Sequence, residues 1–186
     1  MSKIVLPILI FFVVGCAYGQ NENTTRQMID AINVPKNVSL EFKKMYPRAY
    51  VIAWYVTNIS YWYEDYGSSY YNGWYQNRTV VVYTFTQPSY YEAEFMTENE
   101  IGRAIFNRYG TWFETRTRVY KLPDKVESAL QQSDFYNWKW SDYKERIEAP
   151  GMPGSVYRLN VSNNQSSQII RLNNDGEVVQ IKTEQK

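Results

Sequence analysis

Residues 90–119, YYEAEFMTENEIGRAIFNRYGTWFETRTRV, decide the fold that the sequence predicts. The stretch opens with an alternating run in which Tyr91, Ala93 and Phe95 share one face. A period of two is typical of a strand with one buried face. A turn follows and ends at Gly110, where glycine can adopt the positive φ that a short hairpin needs. The stretch therefore predicts antiparallel strands joined by a tight turn.

The second alternating run, after Gly110, predicts a strand whose two faces differ in polarity. Read strictly by alternation, one face carries Phe113, Thr115, Thr117 and Val119, and the other carries Trp112, Glu114, Arg116 and Arg118.

A second pair of alternating runs joined by a glycine turn occurs near the C-terminus, which predicts an internal repeat. Gly110 matches Gly176 at an offset of 176 − 110 = 66. Each copy is preceded by an apolar-Pro-x-x-Val helix start, favoured because proline loses no hydrogen bond in a first helical turn. At an offset of 123 − 35 = 88 the matches are Pro35 with Pro123, Val38 with Val126 and Phe42 with Leu130. Asn33 is the predicted cap of the first helix.

These patterns predict an α+β protein made of two tandem helix-plus-antiparallel-sheet repeats, residues 33–119 and 120–182. The strand that ends near Val119 runs directly into the second helix without a Pro-, Gly- or Ser-rich linker. We therefore expect the two repeats to share one continuous sheet.

The N-terminal 19 residues are typical of a secretory signal, because an apolar run from Ile4 to Val14 follows Lys3. Eleven apolar residues are too few to span a bilayer as a helix. Two cleavage sites compete: one before Gln20, and one before Cys16, which would then carry a lipid anchor. Both predict a periplasmic or secreted protein, free or as a lipoprotein, that touches a membrane only through a lipid on Cys16.

Composition excludes several kinds of chemistry. The chain contains one cysteine and no histidine, so disulfides, His-based triads and His metal ligands are excluded. Removal of residues 1–19 takes Lys3 away and leaves 19 basic against 19 acidic residues, which argues against a nucleic-acid partner. Glu92 and Glu94 are interpreted as a solvated or partner-facing strand edge rather than a glycosidase pair. The prediction is a non-enzymatic protein with no catalytic residue, no metal site and no cofactor.

An aromatic insert at residues 57–89 distinguishes the first repeat. Residues 54–91 contain ten Tyr, three Trp and one Phe. Three interpretations stay open. The rings pack on one another and on the sheet, they form a protein contact surface such as Tyr- and Trp-rich binding loops provide, or they stack on sugars.

The contact-surface interpretation predicts a binding protein, and an inhibitor of an extracytoplasmic enzyme is one form of it. The alternative is a glycan or small-ligand binding protein of the cell envelope. The predicted partner-binding residues are Tyr61, Trp62, Tyr63, Trp74 and Tyr75 of the insert, and Trp112, Arg116, Trp138 and Trp140 on the helix-free face of the sheet.

The order of these motifs resembles the PepSY-like family of secreted proteins of Bacteroides-type bacteria, which is related in fold to the β-lactamase-inhibitory proteins. The resemblance rests on residues 34–54, on Tyr91-Glu92-Ala93-Glu94-Phe95, on the turn at Gly110, on residues 122–130 and on the turn at Gly176. It implies a sheet with helices on one face and an open, concave second face, which in the inhibitors grips the target enzyme. The inhibitors carry disulfides, which this chain cannot form, and no inhibitor contact residue is carried over.

Overall fold

The computed structural model describes residues 26–57 and 90–183. The predicted signal segment and the insert beyond Thr57 lie outside these residues. The described elements are β1 (Arg26–Ile29), a 3-10 turn (Ala31–Asn33), α1 (Lys36–Met45), β2 (Tyr50–Thr57), β3 (Tyr90–Met96), β4 (Ile101–Asn107), β5 (Trp112–Val119), α2 (Asp124–Gln131), β6 (Lys139–Glu148), β7 (Val156–Ser162), β8 (Ser167–Leu172) and β9 (Val178–Thr183).

The nine described strands form one antiparallel sheet in which spatial order follows chain order, β1 to β9. Consecutive strands are hydrogen-bonded throughout, and β5 pairs with β6 although α2 lies between them in sequence. The predicted continuous sheet of an α+β protein is confirmed. The described residues are mostly strand, since α1 has 10 residues and α2 has 8. Neither helix in these ranges is long and apolar enough to cross a membrane.

Both helices begin directly after a proline. Pro35 and Pro123 are the N-cap residues of α1 and α2, and neither helix has a side-chain cap hydrogen bond. The prediction that Asn33 caps the first helix is wrong, because Asn33 ends the preceding 3-10 turn. The fixed φ of proline sets the entry of each helix instead.

The helices cover one face of the sheet, and each has its own core cluster. In the first cluster the Phe42 ring of α1 lies 5.5 Å from Trp54, 5.4 Å from Phe95 and 6.3 Å from Phe106, measured between centroids. In the second, the fully buried Val126 and Leu130 of α2 pack on β7 and β8. The matched positions Val38 and Val126, and Phe42 and Leu130, are thus the buried residues of the two helices.

The two glycine turns press against corresponding points of the two helices. Gly110 and Gly176 adopt φ of 84° and 83°. A Cβ on Gly110 would lie 2.8 Å from the carbonyl oxygen of Asn37, and one on Gly176 would lie 3.3 Å from that of Lys125. Asn37 and Lys125 differ by 125 − 37 = 88, the offset that relates the two prolines.

An asparagine begins each of these turns and accepts two backbone hydrogen bonds. The Oδ1 atom of Asn107 accepts from the N–H groups of Tyr109 and Thr111 at 2.9 and 3.0 Å. The Oδ1 atom of Asn173 accepts from Asp175 and Glu177 at the same two distances. The tight turns predicted from Gly110 and Gly176 are confirmed.

A β-bulge in β5 changes the predicted faces of that strand. Trp112 lies opposite Phe106, whereas Glu114 lies opposite Ile105, so Phe113 is the extra residue. Trp112 therefore packs on the core beneath α1, and its Nε1 donates to the Oγ1 of Thr115 at 3.0 Å. Its predicted place on the helix-free face is wrong because strict alternation fails at a bulge.

Trp138 and Trp140 also belong to the helix-covered side. Both pack against the core cluster of α2. The Trp138 ring lies 5.3 Å from that of Phe135, and the Trp140 Nε1 donates to the Phe135 carbonyl oxygen at 3.0 Å. Their predicted place on the helix-free face is wrong. Trp138 packs on the α2 cluster from the turn before β6, and Trp140 lies opposite Val161, a member of that cluster, in the β6–β7 ladder.

Candidate interaction surface

The face of the sheet opposite the helices carries alternating charges. Glu94 lies opposite Arg103, and Arg103 lies opposite Arg116, across β3, β4 and β5. Since side chains alternate between faces along each strand, Glu92 and Glu114 share this face with them. We call it the charged face.

Arg26 closes the charged face at the β1 edge. Its Nε and Nη2 donate to Oε1 of Glu92 at 3.1 and 2.9 Å, and Nη2 also donates to Oε2 of Glu94 at 3.1 Å. The guanidinium lies 3.4 Å from the centroid of the Tyr55 ring. Burial lowers the pKa of Arg26, but the hydrogen bonds and the charge of Glu92 outweigh burial, so the net pKa is raised. The arginine is held by charge on one side and by a ring on the other.

The carboxylate of Glu145 on β6 accepts hydrogen bonds from three side chains. Its Oε1 accepts from Arg103 Nη2 at 2.9 Å and from the Tyr143 hydroxyl at 2.7 Å, and its Oε2 accepts from Arg158 Nη1 at 3.1 Å. Burial raises the pKa of Glu145, but the charges of Arg116, Arg103 and Arg158 outweigh it and hold the pKa below its usual value. This carboxylate ties β4 to β7 across the middle of the sheet.

Glu114 and Arg116 form a second buried ion pair, with Arg116 Nε 2.6 Å from Oε1 of Glu114. Burial raises the pKa of Glu114 to about 7 although the charge of Arg116 opposes the rise. On β8, the buried Arg171 donates to the side-chain oxygen of Gln180. Ionised groups this deeply buried are costly unless they are paired, which explains the density of contacts.

The centre of the charged face is therefore buried, whereas the resemblance implied an open face. Arg116 lies on this face, as predicted, but it is only 5% exposed and bonded to Glu114. Arg116 is therefore a buried, ion-paired residue of the sheet and not an accessible residue at the rim of an interface.

An exposed band borders the charged centre at one end of the strands. Tyr50 lies opposite Met96, and Met96 lies opposite Ile101. Arg118 follows Thr117, the β5 residue that pairs with Gly102. The guanidinium carbon of Arg118 lies 5.1 Å from the ring centroid of Tyr120 and 5.5 Å from that of Tyr143. The exposed band consists of Tyr50, Met96, Ile101, Arg118, Tyr120 and Tyr143.

The apolar and aromatic members of the band are well exposed. Tyr50 and Tyr120 are 68% and 70% exposed, and Met96 is 46% exposed. The band runs from β2 to β6, about 19 Å for five strands about 4.8 Å apart. Tyrosine, arginine and methionine are enriched in protein interfaces, and contiguous exposed apolar surface marks interaction sites.

Sequence reasoning missed the band because its members come from five strands. Their approach depends on the register of each hairpin, which alternation alone does not fix. A usable signal existed in Met96 and Ile101, two apolar residues that flank a short polar turn and must face each other across it.

A shallow groove lies on the other side of the sheet, at the C-terminal end of α1. Its volume is about 330 Å³, and Met45, Tyr46, Pro47 and Ala49 line it beside the turn between β3 and β4. The Tyr46 hydroxyl contacts the Oγ1 of Thr115 at 2.6 Å. The groove offers mainly apolar contact.

Four of the nine predicted partner-binding residues lie in the described chain. The structure places three tryptophans in the helix-side cores and Arg116 in the buried centre of the charged face, so it does not bring the four together. The five insert residues, Tyr61, Trp62, Tyr63, Trp74 and Tyr75, lie outside the described residues, and their binding role stays a prediction.

Comparison with known proteins identifies the fold. No protein-family model matches the chain, and no curated protein matches it. Among solved structures, a BLIP-like protein from Bacteroides fragilis is 18% identical with a TM-score of 0.58, over 81% of this chain and 86% of that one. A DUF2874 family protein from Bacteroides ovatus is 21% identical with a TM-score of 0.57, over 80% and 86%. A protein from Bacteroides eggerthii proposed to be periplasmic is 21% identical with a TM-score of 0.55, over 81% and 88%.

The chain thus has the fold of BLIP-like and DUF2874 proteins of Bacteroides. The resemblance inferred from the sequence motifs is confirmed at the level of the fold.

Proposed function

We propose that this chain is a non-enzymatic, extracytoplasmic protein-binding module whose contact surface includes the exposed band. The observation that carries the proposal is the band itself: exposed tyrosines and aliphatic side chains that converge from five strands on the helix-free side. A rigid sheet presents these side chains with little loss of conformational freedom on binding.

The acidic residues of the charged face support a structural role over a catalytic one. The carboxylates of Glu92, Glu114 and Glu145 are each bonded to an arginine and buried. A general acid or base must reach the proton that it transfers, and these groups are already engaged in holding strands together.

Tandem repetition is part of the proposal. The equal offsets of the prolines and of the helix positions beneath the two glycine turns support two copies of one helix-plus-sheet unit. In this interpretation residues 33–119 and 120–182 are the copies, and the insert at 57–89 belongs to the first.

The location and the class of partner rest on two separate supports. The N-terminal sequence has the features of a secretory signal, and one solved structure of the same fold is of a protein proposed to be periplasmic. The BLIP-like neighbour suggests an enzyme as the partner, so inhibition of an extracytoplasmic enzyme is the specific form that we put to the test.

The test is affinity capture from an envelope extract of the source organism, with mature protein from residue 20 as bait. A partner identified in this way is purified, and its affinity is measured for the Ile101→Lys variant and for Ile32→Lys. Both isoleucines are exposed, but only Ile101 belongs to the band. We expect at least a tenfold loss for Ile101→Lys and none for Ile32→Lys, and equal affinities would refute the band as the site.

Two further measurements separate the alternatives. Replacement of residues 58–89 by a short turn tests whether the insert contributes, since the proposed insert contacts predict weaker binding. Nitrocefin hydrolysis by a class A β-lactamase, with and without the mature protein, tests inhibition directly. Saturable binding of an oligosaccharide in the absence of any protein partner would instead favour the glycan-binding alternative.

A further inference from the structure

Arg118 differs from its neighbours on the charged face. Arg26, Arg103, Arg116 and Arg158 each form an ion pair with a glutamate. Arg118 forms none within residues 26–57 and 90–183, and its buried Nε has no hydrogen-bond acceptor there.

The reason lies in the cross-strand partner of Arg118. Glu145 is its partner in the β5–β6 ladder, but the Glu145 carboxylate is directed to Arg103, Arg158 and the Tyr143 hydroxyl. With three donors already on its oxygens, that carboxylate is not shared with Arg118.

Two tyrosines hold the Arg118 guanidinium in place at the rim of the charged face. The ring centroids of Tyr120 and Tyr143 lie 5.1 and 5.5 Å from its central carbon, within the range of cation–π contacts. Arg118 is half-buried, so part of its planar donor fork remains accessible. A guanidinium oriented in this way suits bidentate bonding to a carboxylate.

The surroundings of the guanidinium are apolar. Ile101 lies on the neighbouring strand and Met96 opposite it, both more than 40% exposed. A ligand that satisfies Arg118 must therefore bring apolar surface on at least one side of its negative charge. A free anion such as phosphate would leave that apolar surface uncovered.

We propose that Arg118, clamped by Tyr120 and Tyr143, is the receptor for an aspartate or glutamate side chain of a partner protein, presented by an extended segment with apolar neighbours. This inference rests on the proposed function and adds the chemistry of the partner. About six extended residues, each about 3.3 Å long, cover the length of the band.

The test uses a phage-displayed library of random 12-residue peptides, selected on mature protein from residue 20. We expect enriched peptides to share one acidic residue beside apolar residues. Their affinity should fall at least tenfold on Arg118→Gln and should be unchanged on Arg108→Gln. Arg108 is a matched control because it too lies over a tyrosine ring, that of Tyr109 at 4.7 Å, on a loop outside the band.

A double-mutant cycle identifies the contact. Changing the shared Glu or Asp of the peptide to Gln or Asn should weaken binding to the wild-type protein about as much as Arg118→Gln does. The same change should have no further effect in the Arg118→Gln variant. Arg118→Lys, which keeps the charge and loses the planar fork, should lie between the two.

Each of the following outcomes of these experiments would contradict the inference. Enriched peptides that lack an acidic residue and are sensitive to Ile101→Lys but not to Arg118→Gln would overturn it and leave the proposed function standing. Failure to enrich any sequence, or peptides insensitive to both changes, would count against both. A dimer in solution that Arg118→Gln dissociates would make a second copy the occupant and overturn the choice of a foreign partner.

Discussion

Glu114 has a carboxyl group whose protonation is coupled to folding. Its pKa is about 7 in the folded protein against an ordinary value of 4.5, because burial disfavours the charged form. Between these values the folded state binds more protons than the unfolded state, so the free energy of unfolding decreases as pH rises. The contribution is complete below about pH 4.5 and is lost as pH passes 7.

We predict that Glu114→Gln removes this dependence. From pH 5 to pH 8 the wild-type protein should lose up to about 3 kcal/mol relative to the variant, from 1.36 kcal/mol per pKa unit. Urea unfolding at several pH values measures the difference, and Glu98→Gln at an exposed site is the control. Parallel pH profiles for wild type and Glu114→Gln would contradict the prediction. Glu145 does not interfere, since its lowered pKa affects stability only at more acidic pH.

At the scale of elements, each glycine turn acts as a clamp on the start of a helix. The backbone passes so close to α1 and α2 that a methyl group on Gly110 or Gly176 would collide with Asn37 or with Ala129. Gly151 has a similar φ of 82° but has open space around its Cβ position. Alanine substitutions at the three glycines therefore distinguish the free-energy cost of the positive φ from the cost of steric overlap.

We predict that Gly151→Ala destabilises the protein by about 1 kcal/mol, the cost of a left-handed conformation. Gly110→Ala and Gly176→Ala should each cost about 2–4 kcal/mol, because steric overlap adds to the same strain. Thermal or urea unfolding of the three variants gives the comparison. Equal losses for all three would show that the turns are not pressed against the helices.

The elements also show which sequence signals are sufficient to predict local structure. Pro35 and Pro123 were enough to predict where both helices begin, because the preference of proline for a helix start is local and depends on one backbone angle. The bulge at Phe113 left no such signal: alternation continues through it, and only pairing with Phe106 and Ile105 reveals the extra residue. The place of Trp112 was therefore beyond reach of a pattern that assumes a regular strand.

At the scale of the whole molecule, the two core clusters are joined through β5 and β6. Five residue pairs, from Thr115 with Glu148 to Val119 with Lys144, connect the strands. The bond between Arg103 and Glu145 crosses the same junction. The halves are therefore mechanically continuous although each has its own helix.

We predict a single cooperative unfolding transition. Tryptophans lie in both clusters, Trp54 and Trp112 in one and Trp138 and Trp140 in the other, so fluorescence reports on both halves. Urea midpoints from fluorescence and from far-UV circular dichroism should coincide. Two resolved transitions would show that the halves unfold independently.

The architecture was within reach of the sequence, whereas the surface was not. Two helices and a continuous antiparallel sheet follow from local periodicity and from the absence of a linker at residues 119–122. The exposed band depends on side chains from five strands, so it is defined only once every register is known. Arg118 shows the same limit, since its lack of an ion pair among the described residues depends on which donors Glu145 accepts.

The chain-ordered sheet has a kinetic consequence. Each described strand pairs only with its neighbours in chain order, so a strand can pair as soon as the next one has been synthesised. The longest interval falls between β2 and β3, whose paired ends Thr57 and Tyr90 are 90 − 57 = 33 positions apart. A chain that emerges from its N-terminus can thus add strands one after another, and at each stage only the newest strand presents an unpaired edge on the growing side of the sheet.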